Sequence, residues 1–198
     1  MGNIHSLMSA INYLGYDSLV SDKEKDVSKA THILLPGVGS FKKAMDIISK
    51  KGLDEILKNV VKKEEVKLLG ICLGMQLLGS HSDEDGGSNG LNLIPNIITK
   101  FSGTDSQFKI PHVGFNKIKF SKKVKSQGIF NDLQTGSYFY FVHSHKMEIT
   151  ENLVNFSTTS HGNDFISAFE YKNIAGTQFH PELSQSNGIK VLHNFFRS

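Results

Sequence analysis

Gly70-Ile71-Cys72-Leu73-Gly74 is the stretch of this 198-residue sequence that decides its fold. An apolar run from Val66 to Ile71 leads into the cysteine, and Leu73 to Leu78 follows with the character of a helix start. The pattern predicts a buried strand that turns sharply into a helix, with Cys72 on the turn. The two glycines let the turn and the neighbouring helix approach closely.

Segments upstream extend this strand–helix pattern. His32 to Leu35 is a compact apolar run that ends at Pro36-Gly37-Val38-Gly39, which predicts a second buried strand meeting a glycine-rich turn. The spacing predicts a helix over Ile4–Leu14, a short strand at Asp17–Val20, and two helices separated near Gly52. The alternation predicts an α/β fold with a mostly parallel sheet flanked by helices.

The second half of the chain has a different pattern, which indicates additional antiparallel strands. Ile118 and Phe120 alternate with lysines, as in a half-buried strand. Further strands are predicted at Tyr138–Val142, Leu153–Phe156, Phe165–Glu170 and Ile174–Phe179, and a closing helix follows along the stripe Ile189, Leu192, His193 and Phe196. No repeat or linker interrupts the chain, which favours one domain over residues 1–198.

Composition excludes several classes of protein. A net charge of +3 argues against nucleic acid or an anionic membrane as the main partner. One cysteine forms neither an intrachain disulfide nor a thiolate zinc cage, and we expect no metal or cofactor. The longest apolar run, Leu68 to Leu78, is too short for a bilayer and contains Gln76. We expect a cytoplasmic protein, because no signal peptide is recognisable.

The turn at Cys72 has the pattern of a nucleophile elbow with cysteine in place of serine. A thiol at a helix start is biased toward thiolate, and the Leu73 amide points where an oxyanion would form. A cysteine nucleophile needs a base and an orienting group, and His180-Pro181-Glu182 follows an apolar strand that can supply both. Simpler interpretations are a buried core cysteine and an ordinary strand exit. His143 and His145 are further candidate histidines.

Two longer segments carry a family resemblance. Leu69 to Leu78 (LGICLGMQLL) together with Gly176 to Glu182 (GTQFHPE) resembles the class I glutamine amidotransferases. Other segments, in order along nearly the whole chain, narrow the resemblance to the glutaminase subunits of imidazole glycerol phosphate synthases: Leu35–Phe41, Ala44–Met45, Gly52–Leu53, Ser82–Glu84, Gly90–Pro95, Pro111–Asn116 and Tyr140–Ser144. The resemblance implies one glutamine amidotransferase domain and a role in histidine biosynthesis.

This resemblance implies a set of site residues. Cys72 would be the nucleophile, His180 the general base and then acid, and Glu182 its orienter. Val38 and Leu73 would supply the oxyanion amides. Glutamine would be bound by the remaining positions: Gly39, Gln76, Glu84, Ser144 and His145. Simpler alternatives are a polar residue filling core space for Gln76 and a solvated loop carboxylate for Glu84.

The resemblance also implies a partner. In the family this subunit forms a heterodimer with a (β/α)₈ synthase subunit, to which ammonia is channelled. The matching interface positions are Asn3, Phe115, Asn116, Tyr140 and Leu183. Phe115 as a core residue and Tyr140 as an ordinary strand aromatic are the simpler alternatives.

Some positions depart from the family. The family opens with a short hydrophobic strand before Gly-Asn, whereas this chain begins Met1-Gly2-Asn3, so the first strand is predicted to be missing and a sheet edge exposed. Leu183 stands where the family has Lys, His145 where it has Tyr, and Phe115 where it has Trp. These changes leave open a paralogue that supplies ammonia for sugar amidation, a γ-glutamyl peptidase that works alone, and an inactive regulatory subunit.

Overall fold

The computed structural model describes residues 4–101, 108–121, 127–151, 153 and 155–198. Its helices are α1 (Ile4–Tyr13), α2 (Glu24–Val27), α3 (Phe41–Lys50), α4 (Leu53–Val60), α5 (Leu73–Leu77) and α6 (Gln185–Arg197). Its strands are β1 (His32–Gly37), β2 (Lys67–Cys72), β3 (His81–Ser82), β4 (Ser88–Asn89), β5 (Ile97–Lys100), β6 (His112–Lys117), β7 (Lys119–Phe120), β8 (Tyr138–His143), β9 (His145–Met147), β10 (Asn155–His161), β11 (Asn163–Tyr171) and β12 (Ile174–Thr177).

The main sheet is mixed and follows the order β1-β2-β12-β11-β9-β5-β3-β4, while β10 pairs with β11 and β7. β2 pairs in parallel with both β1 and β12. β6 and β8 form a separate antiparallel pair. The predicted α/β class is confirmed, but antiparallel pairing is more extensive than the sequence predicts, because short hairpin connections join β10, β11 and β12.

The parallel strands bring three chemically important turns to one edge of the sheet. Gly37 at the end of β1 lies opposite Cys72 at the end of β2. Thr177 at the end of β12 lies opposite Ile71, three residues before His180. The glycine-rich turn, the cysteine and the histidine therefore meet at the carboxyl ends of neighbouring parallel strands, where open α/β sheets place their sites.

Helices cover both faces of the sheet. Successive residues of β2 alternate between two apolar clusters, since side chains of a strand point to opposite faces. Leu68 belongs to the cluster that includes Phe41 of α3, and Leu69 to the one that includes Leu192 of α6. β2 is therefore a central strand, and the elbow that follows it begins from a buried position.

The N-terminal region differs from the sequence prediction in one element. α1 and the division between α3 and α4 at Gly52 are confirmed. The predicted strand at Asp17–Val20 is wrong: Leu19 and Val20 are 74% and 60% exposed and lie outside any strand. Among the described residues β1 pairs only with β2, so neither Asp17–Val20 nor any other segment pairs with its outer edge.

Two smaller boundaries also shift. β10 begins at Asn155, so the predicted strand Leu153–Phe156 starts too early. The buried face of α6 is Gly188, Val191, Leu192 and Phe195, one position away from part of the predicted stripe. No helix in the described part of the chain is both long and apolar enough to cross a membrane.

Candidate active site

Cys72 sits on a strained turn between β2 and α5. Its φ of 55° and ψ of −112° are unusual for a residue with a side chain. A Cβ on Gly70 would lie 2.7 Å from the carbonyl oxygen of Gly74, and a Cβ on Gly74 would overlap the carbonyl oxygen of Leu35. Both glycines of the motif are therefore required by close backbone contacts, as the sequence predicts.

His180 and Glu182 form a buried pair beside this turn. Nδ1 of His180 lies 2.8 Å from Oε1 of Glu182, and the two side chains are only 4% and 2% exposed. Because Nδ1 is engaged by the carboxylate, Nε2 is the nitrogen that remains to face the Cys72 sulfur.

The electrostatics of this pair favour a charged imidazole. Burial lowers the pKa of His180, but its interactions with Cys72 and Glu182 outweigh burial and raise that pKa to about 10. An imidazolium next to a thiolate is the resting state that a cysteine nucleophile needs.

The backbone of His180 is anchored to β8. Its N–H donates to the carbonyl of Tyr140 at 2.9 Å. The Ser184 hydroxyl donates to the His180 carbonyl at 2.6 Å and accepts from the Tyr140 N–H at 2.9 Å. These three hydrogen bonds fix the backbone from which the imidazole of His180 projects at the edge of the sheet.

The glycine-rich turn after β1 lies against the start of α5. A Cβ on Gly37 would be 3.0 Å from the Leu73 Cβ, and Gly39 has a φ of +100°. The next residues are tied down: Ser40 donates to Asp85, and the Phe41 N–H donates to Oε2 of Glu84 at 2.7 Å. The turn therefore packs against the start of α5 at Gly37 and is anchored by hydrogen bonds just after Gly39.

A pair of buried glutamines lies under the nucleophile. Nε2 of Gln76 donates to the His145 carbonyl at 3.0 Å and to Oε1 of Gln178 at 2.9 Å. Nε2 of Gln178 lies 3.8 Å from the Cys72 sulfur, which is also 3.8 Å from the carbonyl of Val142. Gln76 is therefore fixed next to the sulfur through Gln178.

Acidic side chains surround the ring of His145. Its Nδ1 is 3.8 Å from Oε1 of Glu84, and its Nε2 is 3.9 Å from Oδ1 of Asp83. The preceding residue is Ser144, and the Ser144 carbonyl accepts from the Phe101 N–H at 3.2 Å. Glu84 thus fastens the turn that leads into α3 and also faces His145.

The sheet of β6 and β8 presents an exposed apolar face next to the site. Phe115 lies opposite Tyr140 and Val113 opposite Val142, so their side chains share one face. The rings of Phe115 and Tyr140 are 5.6 Å apart, and Phe115 is 48% exposed. We define this surface, Val113, Phe115, Tyr138, Tyr140 and Val142, as the β6–β8 face. It lies beside Cys72, because the Val142 carbonyl contacts its sulfur.

The structure thus brings most of the predicted site residues to one place. Val38, 53% exposed, lies in the turn after β1, and Leu183, 37% exposed, follows Glu182 directly. Asn116 turns its amide inward to the Ser160 carbonyl and to His112. Asn3 lies outside the described residues.

The sequence pattern predicts no role for Gln178, although this residue lies within the segment Gly176 to Glu182. It is fully buried and is the only side-chain amide in the apolar run Ile174–Phe179. A polar residue at a core position of a strand is the signal that could have identified it, because a buried amide must find partners.

Fold and site together are those of an α/β protein that carries an elbow cysteine beside a buried histidine–glutamate pair. A profile of the family described as "Glutamine amidotransferase class-I" matches residues 1–198, and the chain belongs to that family. The "Imidazole glycerol phosphate synthase subunit HisH 2" of Methanococcus maripaludis is 42% identical over 197 residues, which is 100% of this chain and 95% of the relative. The HisH subunit of Chlorobaculum tepidum is 40% identical over 195 residues, 98% of this chain and 94% of the relative.

Solved structures share the fold at lower identity. A glutamine amidotransferase from Thermotoga maritima superimposes with a TM-score of 0.66 at 14% identity, covering 96% of this chain and 90% of the other. The glutaminase domain of CTP synthase from Trypanosoma brucei gives a TM-score of 0.65 at 14% identity, covering 98% and 88%. These likenesses support the fold.

Proposed function

We propose that this chain is the glutaminase subunit of an imidazole glycerol phosphate synthase in histidine biosynthesis. It hydrolyses L-glutamine to glutamate and ammonia, and the ammonia passes to a (β/α)₈ synthase subunit that makes imidazole glycerol phosphate and AICAR. The observation that carries the proposal is the elbow cysteine beside a buried histidine–glutamate pair. Full-length similarity to HisH subunits supports the specific pathway.

Acylation uses the charge state that the site favours. The Cys72 thiolate attacks the side-chain amide carbon of glutamine, and the C=O π electrons move to the oxygen. The amides of Leu73 and Val38 would hold this oxyanion. The His180 imidazolium gives its proton to the leaving nitrogen, ammonia departs, and a γ-glutamyl thioester remains on Cys72.

Deacylation reverses the proton transfer. Neutral His180 takes a proton from water as the oxygen attacks the thioester carbon. The C–S bond breaks and restores the Cys72 thiolate beside the His180 imidazolium, and the released γ-carboxyl group loses its proton to solvent to give glutamate. Throughout, Glu182 holds Nδ1 and stabilises the imidazolium.

Substrate recognition follows from the groups around the nucleophile. We place the α-amino and α-carboxylate groups of glutamine among Gly39, Gln76, Glu84, Ser144 and His145. Glu84 supplies a negative charge for the ammonium group, and Gln76 supplies an amide that is already oriented by two hydrogen bonds.

The β6–β8 face is the docking surface that we propose for the synthase subunit. Its exposed aromatic and aliphatic side chains are the kind that drive stable interfaces. Leu183 adds a neutral apolar group near Tyr140, since both residues flank the His180 turn. A partner docked there lies next to Cys72, where ammonia leaves the amide carbon of glutamine.

Isotope transfer tests the function directly. The chain is mixed with a (β/α)₈ synthase subunit, its nucleotide acceptor and glutamine labelled with ¹⁵N at the side-chain amide. We expect ¹⁵N in the imidazole product and none with Cys72→Ala. Hydrolysis of glutamine without label in the product would contradict the synthase pathway, and no hydrolysis at all would contradict the glutaminase.

A further inference from the structure

A line of buried polar side chains leads from the β6–β8 sheet to the nucleophile, and its two histidines have no role in the steps above. His112 on β6 lies opposite His143 on β8, and both are nearly fully buried. Nδ1 of His112 lies 3.0 Å from Nε2 of His143. Nδ1 of His143 lies 2.7 Å from the carbonyl oxygen of His145.

The contact between His143 and the His145 carbonyl determines which ring nitrogen of His143 carries its proton. A carbonyl oxygen accepts hydrogen bonds and never donates, so Nδ1 of His143 carries a proton toward His145. A neutral His143 then leaves Nε2 as an acceptor for His112.

The contacts of Asn116 independently determine which ring nitrogen of His112 carries its proton. Oδ1 of Asn116 accepts from the Lys117 N–H at 2.8 Å, and Nδ2 donates to the Ser160 carbonyl at 3.0 Å. The amide orientation is thereby set, so Nδ2 also donates to Nε2 of His112 at 3.3 Å. His112 must then carry its proton on Nδ1, directed at His143. Both ends give the same pair of neutral Nδ1–H imidazoles.

The surroundings keep this pair neutral. Burial lowers the pKa of His143 to about 3 and that of His112 to about 4. Among the residues that the structure describes, the titratable groups that face the pair are His161, stacked on His112 at 4.2 Å, and His180, and both disfavour further positive charge. The ring centroid of Phe165, which is fully buried, lies 5.0 Å from that of His143.

From His145 the line continues to the sulfur. Its carbonyl accepts from both His143 and Gln76, so both lone pairs of one oxygen are occupied. Gln76 is bonded to Gln178, whose Nε2 points at Cys72. Movement of that carbonyl would shift the amide of Gln76.

We propose that His143 and His112 are positioning residues of the glutaminase reaction: as neutral Nδ1–H imidazoles they hold the His145 carbonyl, which orients Gln76 toward bound glutamine. The proposal rests on the proposed function. Neither histidine acts as an acid or base, because all four ring nitrogens are engaged in hydrogen bonds.

Two variants of His143 separate positioning from packing. The amide nitrogen of His143→Asn occupies the place of Nδ1 and keeps the bond to His145. The amide of His143→Gln occupies the place of Nε2 and keeps only the contact with His112. We expect KM for glutamine to rise about ten-fold in His143→Gln and less than about three-fold in His143→Asn, with smaller effects on kcat. Assays use the chain with its synthase subunit.

Controls make the outcome decisive. His32→Gln, at the start of β1 and so at the far end of the parallel strands from Cys72, should leave KM unchanged. Equal KM values in the two His143 variants, or a higher KM in His143→Asn, would overturn the positioning role. If the wild-type chain still hydrolyses glutamine, that result leaves the glutaminase function intact. If the wild-type chain hydrolyses no glutamine, the proposed glutaminase function itself is contradicted.

A spectroscopic test on the wild-type chain does not depend on variants that fold. Long-range ¹H–¹⁵N spectra should show His112 and His143 as Nδ1–H tautomers whose shifts stay constant between about pH 6 and 8. Titration of either ring in that range, or the Nε2–H tautomer, would refute the proposal.

Discussion

Cys72 combines three features that belong to the scale of single residues: a positive φ, a buried sulfur and a histidine held by a carboxylate. A residue with a side chain adopts this φ at a cost, and such strain persists where the surrounding structure enforces it. Here Gly70 and Gly74 permit the backbone contacts that enforce it. The strained turn directs the sulfur into the site.

Substitutions at the three residues should differ in severity. Cys72→Ala should abolish glutamine hydrolysis, because the thioester needs the thiol. His180→Ala should reduce kcat by about 10²–10⁴-fold, and Glu182→Gln by less, since Glu182 only orients and stabilises the histidine. Turnover assays with the synthase subunit measure all three. A larger loss in Glu182→Gln than in His180→Ala would reverse the assigned roles.

The raised pKa of His180 predicts a pH dependence of stability. The folded chain keeps the His180 proton up to a pKa of about 10, whereas the ordinary value is 6.5. The stabilisation is therefore fully present below about pH 6.5 and is lost as pH rises toward 10. Urea unfolding across this range should show the decline.

The matched variant for that measurement is Glu182→Gln. It removes one of the negative charges that raise the His180 pKa, so the fall in unfolding free energy with pH should be shallower. An unchanged slope in this variant would show that Glu182 does not contribute to the shift.

At the scale of elements, the β6–β8 pair has two faces with different tasks. One face carries His112 and His143 into the interior, and the other carries Phe115 and Tyr140 outward. Strand alternation separates these roles by one residue. The same two strands therefore connect the proposed docking surface to the hydrogen-bond line under the nucleophile.

This division predicts the effect of changes on the outward face. Phe115→Ser should weaken binding of the synthase subunit, with a dissociation constant about ten-fold higher or more, because it removes a central exposed aromatic. Tyr171→Ser is a matched control: Tyr171 is similarly exposed, at 37%, but lies at the opposite end of the strands. Titration calorimetry compares them, and equal affinities would contradict docking on this face.

Leu183 provides a second test of the same surface. Leu183→Lys introduces a charge where this chain has an apolar group, and we expect weaker binding of its own synthase subunit. Tighter binding by Leu183→Lys would place an acidic group of the partner opposite this position and contradict an apolar contact.

At the scale of the whole molecule, β1 leaves one edge of the sheet open among the described residues. All six residues of β1 are only half-buried, whereas Leu68 to Cys72 of the adjacent β2 are buried. Leu19 and Val20, in the segment that forms no strand, are exposed. An open strand edge presents unpaired backbone groups to which a further strand can pair.

An added strand should therefore stabilise the fold. A short apolar strand fused before Gly2 would pair with β1 and bury side chains worth about 1.5–3 kcal/mol each. We expect a higher melting temperature than for a matched extension with lysines at the inward positions. Equal melting temperatures for the two extensions would mean that the β1 edge does not accept a strand.

Local pattern was sufficient for the elbow and for the residues beside it. Cys72 between two glycines, an apolar strand before it and a helix after it are encoded within about a dozen neighbouring residues. His180 and Glu182 are two residues apart, so their contact also follows from local geometry. The α/β class follows from the same alternation of strands and helices.

Contacts between distant segments required the tertiary structure. Gln178 meets Cys72 across 106 positions, and Glu84 caps the first turn of α3 at Phe41 across 43. Such contacts depend on strand register and on packing between elements, which no local period encodes. The protonation of His112 follows from contacts with residues distant in sequence, since His143 accepts from it and the fixed amide of Asn116 donates to it. The sequence determines which groups are present, and the fold decides which of them meet.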